Sequence, residues 1–213
     1  MIKTISLLPG VVLRCMQDRR FKQGCLSVQM VRLMHAGESA MNALLPSVLL
    51  RATKQYPDLR AITAQLDTLY GAAVGPIVRR IGDYQTVGLY CGFMDDRFAL
   101  PGDQILGPMI DFVREVLLNC AVENGHFLPD IVESEKKNLI STIESELNDK
   151  RAYSMSQLLR TMCKADSYGI PRLGDKESVA AIEAKPLYEH YRHILRTSPI
   201  ELFYVGSAPA ETV

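Results

Sequence analysis

The chain has 213 residues, which is enough for one sizeable hydrophobic core and lies near the upper end for a single domain. Its 24 Lys and Arg residues balance 24 Asp and Glu residues, with no block of like charges, so the sequence argues against a nucleic-acid partner. Apolar residues make up 47% and charged residues 23%, which is the usage of a folded globular protein rather than a disordered one.

Apolar residues alternate with polar ones along residues 11–34, on both sides of a polar turn at 18–20. This pattern predicts two β-strands, and the short turn predicts that they pair as a hairpin. Ser39 then offers an N-cap ahead of apolar residues at helical spacing. Pro46 lies inside this predicted helix, where it removes one amide donor and is expected to kink the helix or begin a new one.

A second helix is predicted after Asp58, which can cap its first turn, and Gly71 ends it. Between them the apolar residues at the spacing of one helical face are Leu59, Ile62, Leu66 and Leu69. Residues 76–81 and 84–94 then alternate as strands around a two-residue Gly-Asp turn. We expect these two strands to form a hairpin.

The second half of the chain has the longer apolar spacing of helices. Helices are predicted at 105–120, 128–148, 154–164, 176–183 and 185–197, and a closing strand at 200–206. In the longest helix the side chains expected to face inward are Ile131, Leu139, Ile143 and Leu147. Strand pairs separated by helix pairs predict an α+β fold, with a mostly antiparallel sheet and helices packed on one face. We expect residues 1–213 to form a single module.

The five cysteines are scattered and contain no Cys-x-x-Cys pair. This indicates separate buried thiols in a reducing compartment rather than a disulfide framework or a zinc finger. The N-terminus weakly resembles a signal sequence, but Pro9 and Gly10 interrupt its apolar run. Because no apolar run reaches the roughly 18 residues of a membrane span, we expect a cytoplasmic protein with no membrane partner.

Three ordered segments resemble the insulinase/pitrilysin family of zinc peptidases, also called inverzincins, which includes mitochondrial-processing-peptidase-like proteins. Residues 62–71 resemble the family's I-x-x-x-L-x-x-L-G-G helix, residues 135–144 its E-R-x-x-V-x-x-E helix, and residues 169–174 its H-P-x-G-x-x-x-x-G loop. The resemblance covers nearly the whole chain. It implies a metallopeptidase-like module of the catalytically inactive bacterial kind, forming the N-terminal half of a longer two-module protein.

The same resemblance places the family's zinc-binding and catalytic positions on side chains that cannot bind zinc or act as a general base. The first zinc His, the general-base Glu, the second zinc His and the distant zinc Glu fall on Leu44, Ser47, Val48 and Thr142. A frame one residue earlier puts Ala43, Pro46 and Ser47 at the first three positions. A catalytic zinc needs about three imidazole, carboxylate or thiolate ligands, so we expect no metal, no cofactor and no catalytic residue.

His190 and His193 are the one close pair among the four histidines. They lie three residues apart on a predicted helix and could share a face with Glu183 and Glu189. A solvated or half-buried surface pair is the interpretation that we favour over a metal site.

Residues 71–78 align with the edge strand to which active members of the family add a substrate peptide. The resemblance makes Val74, Gly75 and Ile77 candidate peptide-binding residues. Pro76 has no amide hydrogen, so one hydrogen bond of such a ladder is lost. The alternative is an edge strand that is blunted against unwanted pairing.

The resemblance implies a non-catalytic module that pairs with an active peptidase subunit or a second similar module and helps to enclose or bind peptide. Two alternatives stay open. The chain could be an active zinc metalloendopeptidase whose ligands are misassigned, which bound zinc would reveal. It could also be a stand-alone binding or scaffold protein, which would be recovered from its host without any zinc-bearing relative.

Overall fold

The computed structural model describes residues 2–213, whose strands form one six-stranded sheet and a separate two-stranded ribbon. The strands are β1 (Ile2–Leu8), β2 (Val11–Gln17), β3 (Gln23–Leu33), β4 (Ala73–Ile81), β5 (Tyr84–Met94), β6 (Val122–Glu123), β7 (His126–Phe127) and β8 (Ile200–Gly206). The helices are α1 (Ala36–Leu49), α2 (Leu59–Thr68), α3 (Leu106–Leu118), α4 (Pro129–Ser145), α5 (Lys150–Met162), α6 (Lys176–Ala180) and α7 (Ala184–Thr197). The predicted α+β class is confirmed.

The order of the large sheet is β1-β2-β8-β3-β5-β4, and only the pair β2 and β8 is parallel. The predicted hairpin of β2 with β3 is therefore wrong, because β8 lies between them. Leu202 of β8 stands opposite Leu13 of β2 and Val28 of β3, and both of these partners are buried. Insertion of the last strand thus extends one continuous apolar surface across the sheet. Strand β1 was not predicted and forms an edge of the sheet.

The helices pack on the sheet face that carries Leu26, Val87 and Leu89. Helix α1 begins at Ala36, three residues before the predicted cap, and its N-cap residue is His35. Pro46 lies within this single helix rather than starting a new one.

The predicted cap of α2 is confirmed, since the Asp58 carboxylate accepts from the Ala61 amide at 2.8 Å. The 84–94 strand and its pairing with β4 are likewise confirmed, with Gly82 in the left-handed region at φ 59°. Local turn and cap chemistry therefore directs these elements.

Of the residues predicted to face inward from α4, Ile131, Leu139 and Ile143 pack against the core, but Leu147 does not. Leu147 is 49% exposed in a short 3₁₀ turn after the helix, whereas Glu135 and Lys136 are buried. The Lys136 ammonium donates to the carbonyl of Ile182 at 2.9 Å and pairs with Glu133 at 2.7 Å. These charged residues are buried because each of them has a partner, which apolar periodicity cannot reveal.

Candidate functional site

A cleft of about 290 Å³ separates α1 from α4 beside the edge strand β4. Its walls come from α1, β4, α4 and the loop before α6, and they contain Ala43, Ser47, Pro76, Val78, Glu135, Asn138, Leu139, Thr142, Arg172 and Leu173. It therefore lies where the sequence motifs of the first and fourth helices meet.

The structure brings two of the four predicted site positions into this cleft. Ser47 and Thr142 line it, whereas Leu44 and Val48 belong to the core and are 0% and 3% exposed. Ala43 precedes Ser47 by four residues and shares its face of α1. The two cleft-facing residues of α1 are thus the first and last positions of the frame one residue earlier.

Glu135 is the carboxylate in the cleft wall, and its charge is already engaged. An Arg51 guanidinium nitrogen lies 2.5 Å from its Oε1, and Asn138 Nδ2 donates to the same oxygen at 3.0 Å. Within residues 2–213, no three His, Cys, Asp or Glu side chains come together in a way that could hold a metal ion. The cleft presents hydroxyl, amide and aliphatic groups and the Arg172 side chain around one acid that is already paired with Arg51.

Strand β4 forms one edge of the sheet, as the peptide-binding prediction requires. The two-residue turn makes Ile81 and Tyr84 the closing pair of the hairpin, so Ile77 and Gly75 direct their backbone groups toward β5. The intervening residues, Val74, Pro76 and Val78, direct theirs outward.

The outward ladder of β4 is interrupted at two places. Pro76 has no amide to donate, and the carbonyl of Val78 already accepts from Arg172 Nη1 at 2.8 Å. Of the three predicted peptide-binding residues, Val74 alone has its backbone groups on the open side. An added strand would therefore form few hydrogen bonds over this stretch.

The segment 167–174, which carries Arg172, is held against the sheet and α1. Arg80 Nη1 donates to the carbonyls of Tyr168 at 3.1 Å and Ile170 at 3.0 Å. Gly174 has φ 75°, and a Cβ added to it would lie 2.6 Å from the Cβ of Ala40. Only glycine permits this close approach of the segment to α1.

A buried polar chain that the sequence did not suggest joins α7, α1, β5 and the same segment. Gln85 Nε2 donates to the carbonyls of Ser39 at 3.1 Å and Arg172 at 2.7 Å, so its Oε1 accepts from Asn42 Nδ2 at 2.8 Å. Asn42 Oδ1 then accepts from His190 Nε2 at 2.7 Å. The two backbone carbonyls thereby set the direction of every bond and place the imidazole proton on Nε2.

His190 is therefore not part of a surface pair, and the favoured interpretation of the two histidines is wrong for this residue. It is 8% exposed, and burial lowers the pKa of its imidazole. His193 is exposed on the same helix. Burial of a histidine far from its partners in sequence leaves no local signal, so periodicity alone could not have identified it.

The sequence and the fold are both similar to known proteins, although no family model matches the sequence. The chain is 27% identical over 204 residues to "Probable inactive metalloprotease YmfF" of Bacillus subtilis (strain 168), which covers 96% of this chain and 48% of that protein.

Two solved structures have the same fold as this chain. A conserved protein from Enterococcus faecalis V583 has a TM-score of 0.92 at 23% identity, with 100% of this chain and 50% of that one covered. A peptidase M16 inactive domain from Pseudomonas fluorescens has a TM-score of 0.72 at 15% identity, with 100% and 48% covered. The chain thus spans about half the length of these proteins, and the similarities confirm the family resemblance that the sequence motifs indicated.

Within residues 2–213, no helix combines the length and the apolar character that crossing a membrane would require.

Proposed function

We propose that this chain, a module like those of the insulinase/pitrilysin (M16) peptidases, is non-catalytic and works by pairing with an active peptidase module or subunit. Its role is to close one side of a peptide-holding space and to contribute surface to it. The observation that carries the proposal is the composition of the cleft between α1 and α4.

The cleft supports a non-catalytic role in either alignment frame. The earlier frame puts Ala43 and Ser47 of α1 in the cleft opposite Thr142 of α4, and none of these is a strong zinc ligand. Glu135 could act as a base only by giving up its bond with Arg51. Without a metal ligand set there is no site at which water would be activated for peptide hydrolysis.

The lengths of the relatives support a second module as the partner. This chain covers 48% of the Bacillus subtilis protein and 50% of the Enterococcus faecalis chain. We propose that residues 1–213 are one module of two, and that the facing module or a separate subunit supplies any catalytic chemistry.

The geometry of β4 favours enclosure of peptide over capture of a long extended peptide. Between Val74 and Val78 the outward ladder lacks the amide of Pro76 and the carbonyl of Val78, which leaves Val74 as the residue of this stretch able to both donate and accept. We propose that Val74 contributes a short contact and that most of the peptide-facing surface comes from the cleft walls. Gly75 and Ile77 would contribute little to this contact, because their backbone groups face β5 and the Ile77 side chain is only 5% exposed.

A reducing, cytoplasmic setting is part of the proposal. The cysteines of residues 2–213 are free, and Cys15, Cys91 and Cys120 are buried. Burial raises the pKa of the Cys91 thiol to about 12, which keeps it protonated and unreactive.

The test measures zinc and activity on the purified chain, and then its association with a partner. We expect less than stoichiometric zinc and no chelator-sensitive cleavage of oligopeptides. Co-expression with an active peptidase-family subunit of the same genome is expected to yield a complex in which peptide is cleaved. Tightly bound zinc with chelator-sensitive cleavage would establish an active enzyme instead. Recovery from the native host without any zinc-bearing relative would favour a stand-alone scaffold.

A further inference from the structure

A second cavity, of about 280 Å³, lies beside the cleft, between the end of β4, helix α5 and the segment 167–174. Its lining includes three arginines, Arg80, Arg160 and Arg172, and one acid, Glu146. We call it the arginine cavity. It shares Arg172 and Leu173 with the cleft, so the two spaces adjoin.

Arg80 is held rigidly in the wall of the arginine cavity. Its Nη1 donates to two carbonyls of the segment 167–174, and its Nε donates to the carbonyl of Gly82 at 3.2 Å. The guanidinium carbon lies 4.2 Å from the centroid of the Tyr168 ring. The remaining nitrogen, Nη2, is buried and has no hydrogen-bond partner within residues 2–213.

Arg160, on α5, shows the same feature on the other side of the cavity. Its Nε is also buried and without a hydrogen-bond partner among the described residues. A buried donor without an acceptor is strongly unfavourable, and more so when it carries charge. Both nitrogens belong to arginines that line the same cavity, and an oxyanion is the kind of group that accepts hydrogen bonds from such donors.

The carboxylates nearest in the fold do not neutralise these arginines. Neither Arg80 nor Arg160 lies within ion-pair distance of a carboxylate of residues 2–213. Glu146 lines the cavity without pairing with either. Asp175, whose pKa is lowered mainly by its bond from Ser178 and less by Arg160, caps α6. Three positive groups against one negative group leave the lining cationic.

We propose that the arginine cavity binds a carboxylate carried on an apolar stem, namely the acidic side chain of a peptide that lies in the cleft. One nitrogen on each of Arg80 and Arg160, unpartnered in the described part of the chain, supplies a total of two charged donors, which is a number that the two oxygens of a carboxylate can accept. The other walls are apolar and include Ile143, Leu159, Ile170 and Pro171, which suit a methylene stem better than a fully hydrated inorganic anion. This inference rests on the peptide contact in the proposed function and adds a preference for acidic residues.

Titration of the chain with two blocked pentapeptides tests this inference. The peptides are identical and apolar except for a central Glu or Gln, and binding is followed by calorimetry and by the NMR signals of the arginine Nε–H groups. We expect the Glu peptide to bind about tenfold or more tightly than the Gln peptide. Arg160→Gln should remove this preference, whereas Arg151→Gln, on the same helix outside the cavity, should retain it.

Several results would overturn the inference. Equal affinity for the Glu and Gln peptides excludes carboxylate recognition, and this comparison needs only the wild-type chain. Binding of inorganic phosphate or acetate as tight as that of the Glu peptide would indicate a general anion site rather than a peptide site. If Arg151→Gln also loses the preference for the Glu peptide, that preference comes from the overall positive charge of the chain and not from the arginine cavity. If any of these results is obtained but the chain still forms a complex with an active subunit, the inference about the arginine cavity is refuted and the proposed function is not.

Discussion

An Arg51 guanidinium nitrogen lies 2.5 Å from the Oε1 atom of Glu135, joining the turn after α1 to the first half of α4. The Glu135 side chain is 6% exposed, and that of Arg51 is 35% exposed. The pair therefore joins a buried acid in the cleft wall to a half-solvated base that lies outside the cleft lining. It links the end of α1 to α4, the two helices on either side of the cleft.

Removing the base from this pair is expected to destabilise the fold. Arg51→Met leaves the Glu135 carboxylate buried with Asn138 as its remaining side-chain donor, and the expected loss is about 2 kcal/mol of unfolding free energy. Urea denaturation measures it. Arg114→Met is the matched control, since Arg114 and Asp111 form an exposed pair and the change should be below about 0.5 kcal/mol. Equal effects of the two substitutions would show that the Arg51–Glu135 pair stabilises the fold no more than an exposed ion pair does.

Gly174 permits the close approach of the segment 167–174 to α1, so its replacement should be costly. Gly174→Ala places a methyl group 2.6 Å from the Ala40 Cβ and keeps φ at 75°. We therefore expect the free energy of unfolding to fall by about 1–3 kcal/mol. Gly107→Ala is the control, because nothing lies within 4 Å of the added Cβ and the site is in α3. That change should stabilise the chain by up to about 1 kcal/mol. Thermal melts show whether each substitution raises or lowers stability. If Gly174→Ala leaves the stability unchanged, the close contact with Ala40 is contradicted.

A zinc site built in the frame that faces the cleft should bind metal, whereas one built in the other frame should not. Ala43→His, Ser47→His and Thr142→Glu together supply three ligands on the cleft walls. We expect about one zinc per chain by elemental analysis. The matched variant uses Leu44→His and Val48→His with the same Thr142→Glu. Ala43 is as buried as Val48 but borders the cleft, whereas Leu44 and Val48 do not, so we expect no zinc site and a free energy of unfolding lower by roughly 3 kcal/mol or more. Zinc binding by this second variant alone would restore the original alignment frame.

The sequence predicted what depends on neighbouring residues. Alternation located β4 and β5 and their turn, and the cap at Asp58 located the start of α2. These features depend on side chains a few residues apart, which the printed sequence places side by side. The place of β8 between β2 and β3 depends instead on contacts such as that of Leu13 with Leu202, which local periodicity does not contain.

For the candidate site, too, the sequence predicted the residue types but not their positions in the folded chain. The residue types at Ser47 and Thr142 already argued against a metal, whichever frame is correct. The direction in which each side chain points was harder to predict, because successive helix positions turn by about 100°. A one-residue shift therefore moves the site from Leu44, which does not line the cleft, to Ala43, which does. The arginine cavity was missed because β4, α5 and the segment 167–174 meet only in the folded chain.

The buried His190 makes a further prediction about pH. Desolvation is the main cause that lowers the pKa of its imidazole below the ordinary 6.5, with Arg32 and His193 acting in the same direction and Glu38 opposing them. The unfolded chain then takes up a proton at a higher pH than the folded chain does. The contribution of His190 is thus fully present above pH 6.5 and is lost as the pH falls through 6.5 toward the lower folded value.

Unfolding free energies measured by urea between pH 5.5 and 7.5 should therefore decline on the acidic side of this window. In His190→Gln, whose amide can still donate to Asn42 Oδ1, that part of the decline should disappear. His193→Gln changes an exposed histidine on the same helix and should retain the decline. If both variants follow the wild-type curve, the titration belongs to another group. If the unfolding free energy stays constant with pH in His190→Gln alone, the imidazole buried against Asn42 couples the packing of α7 on α1 to pH.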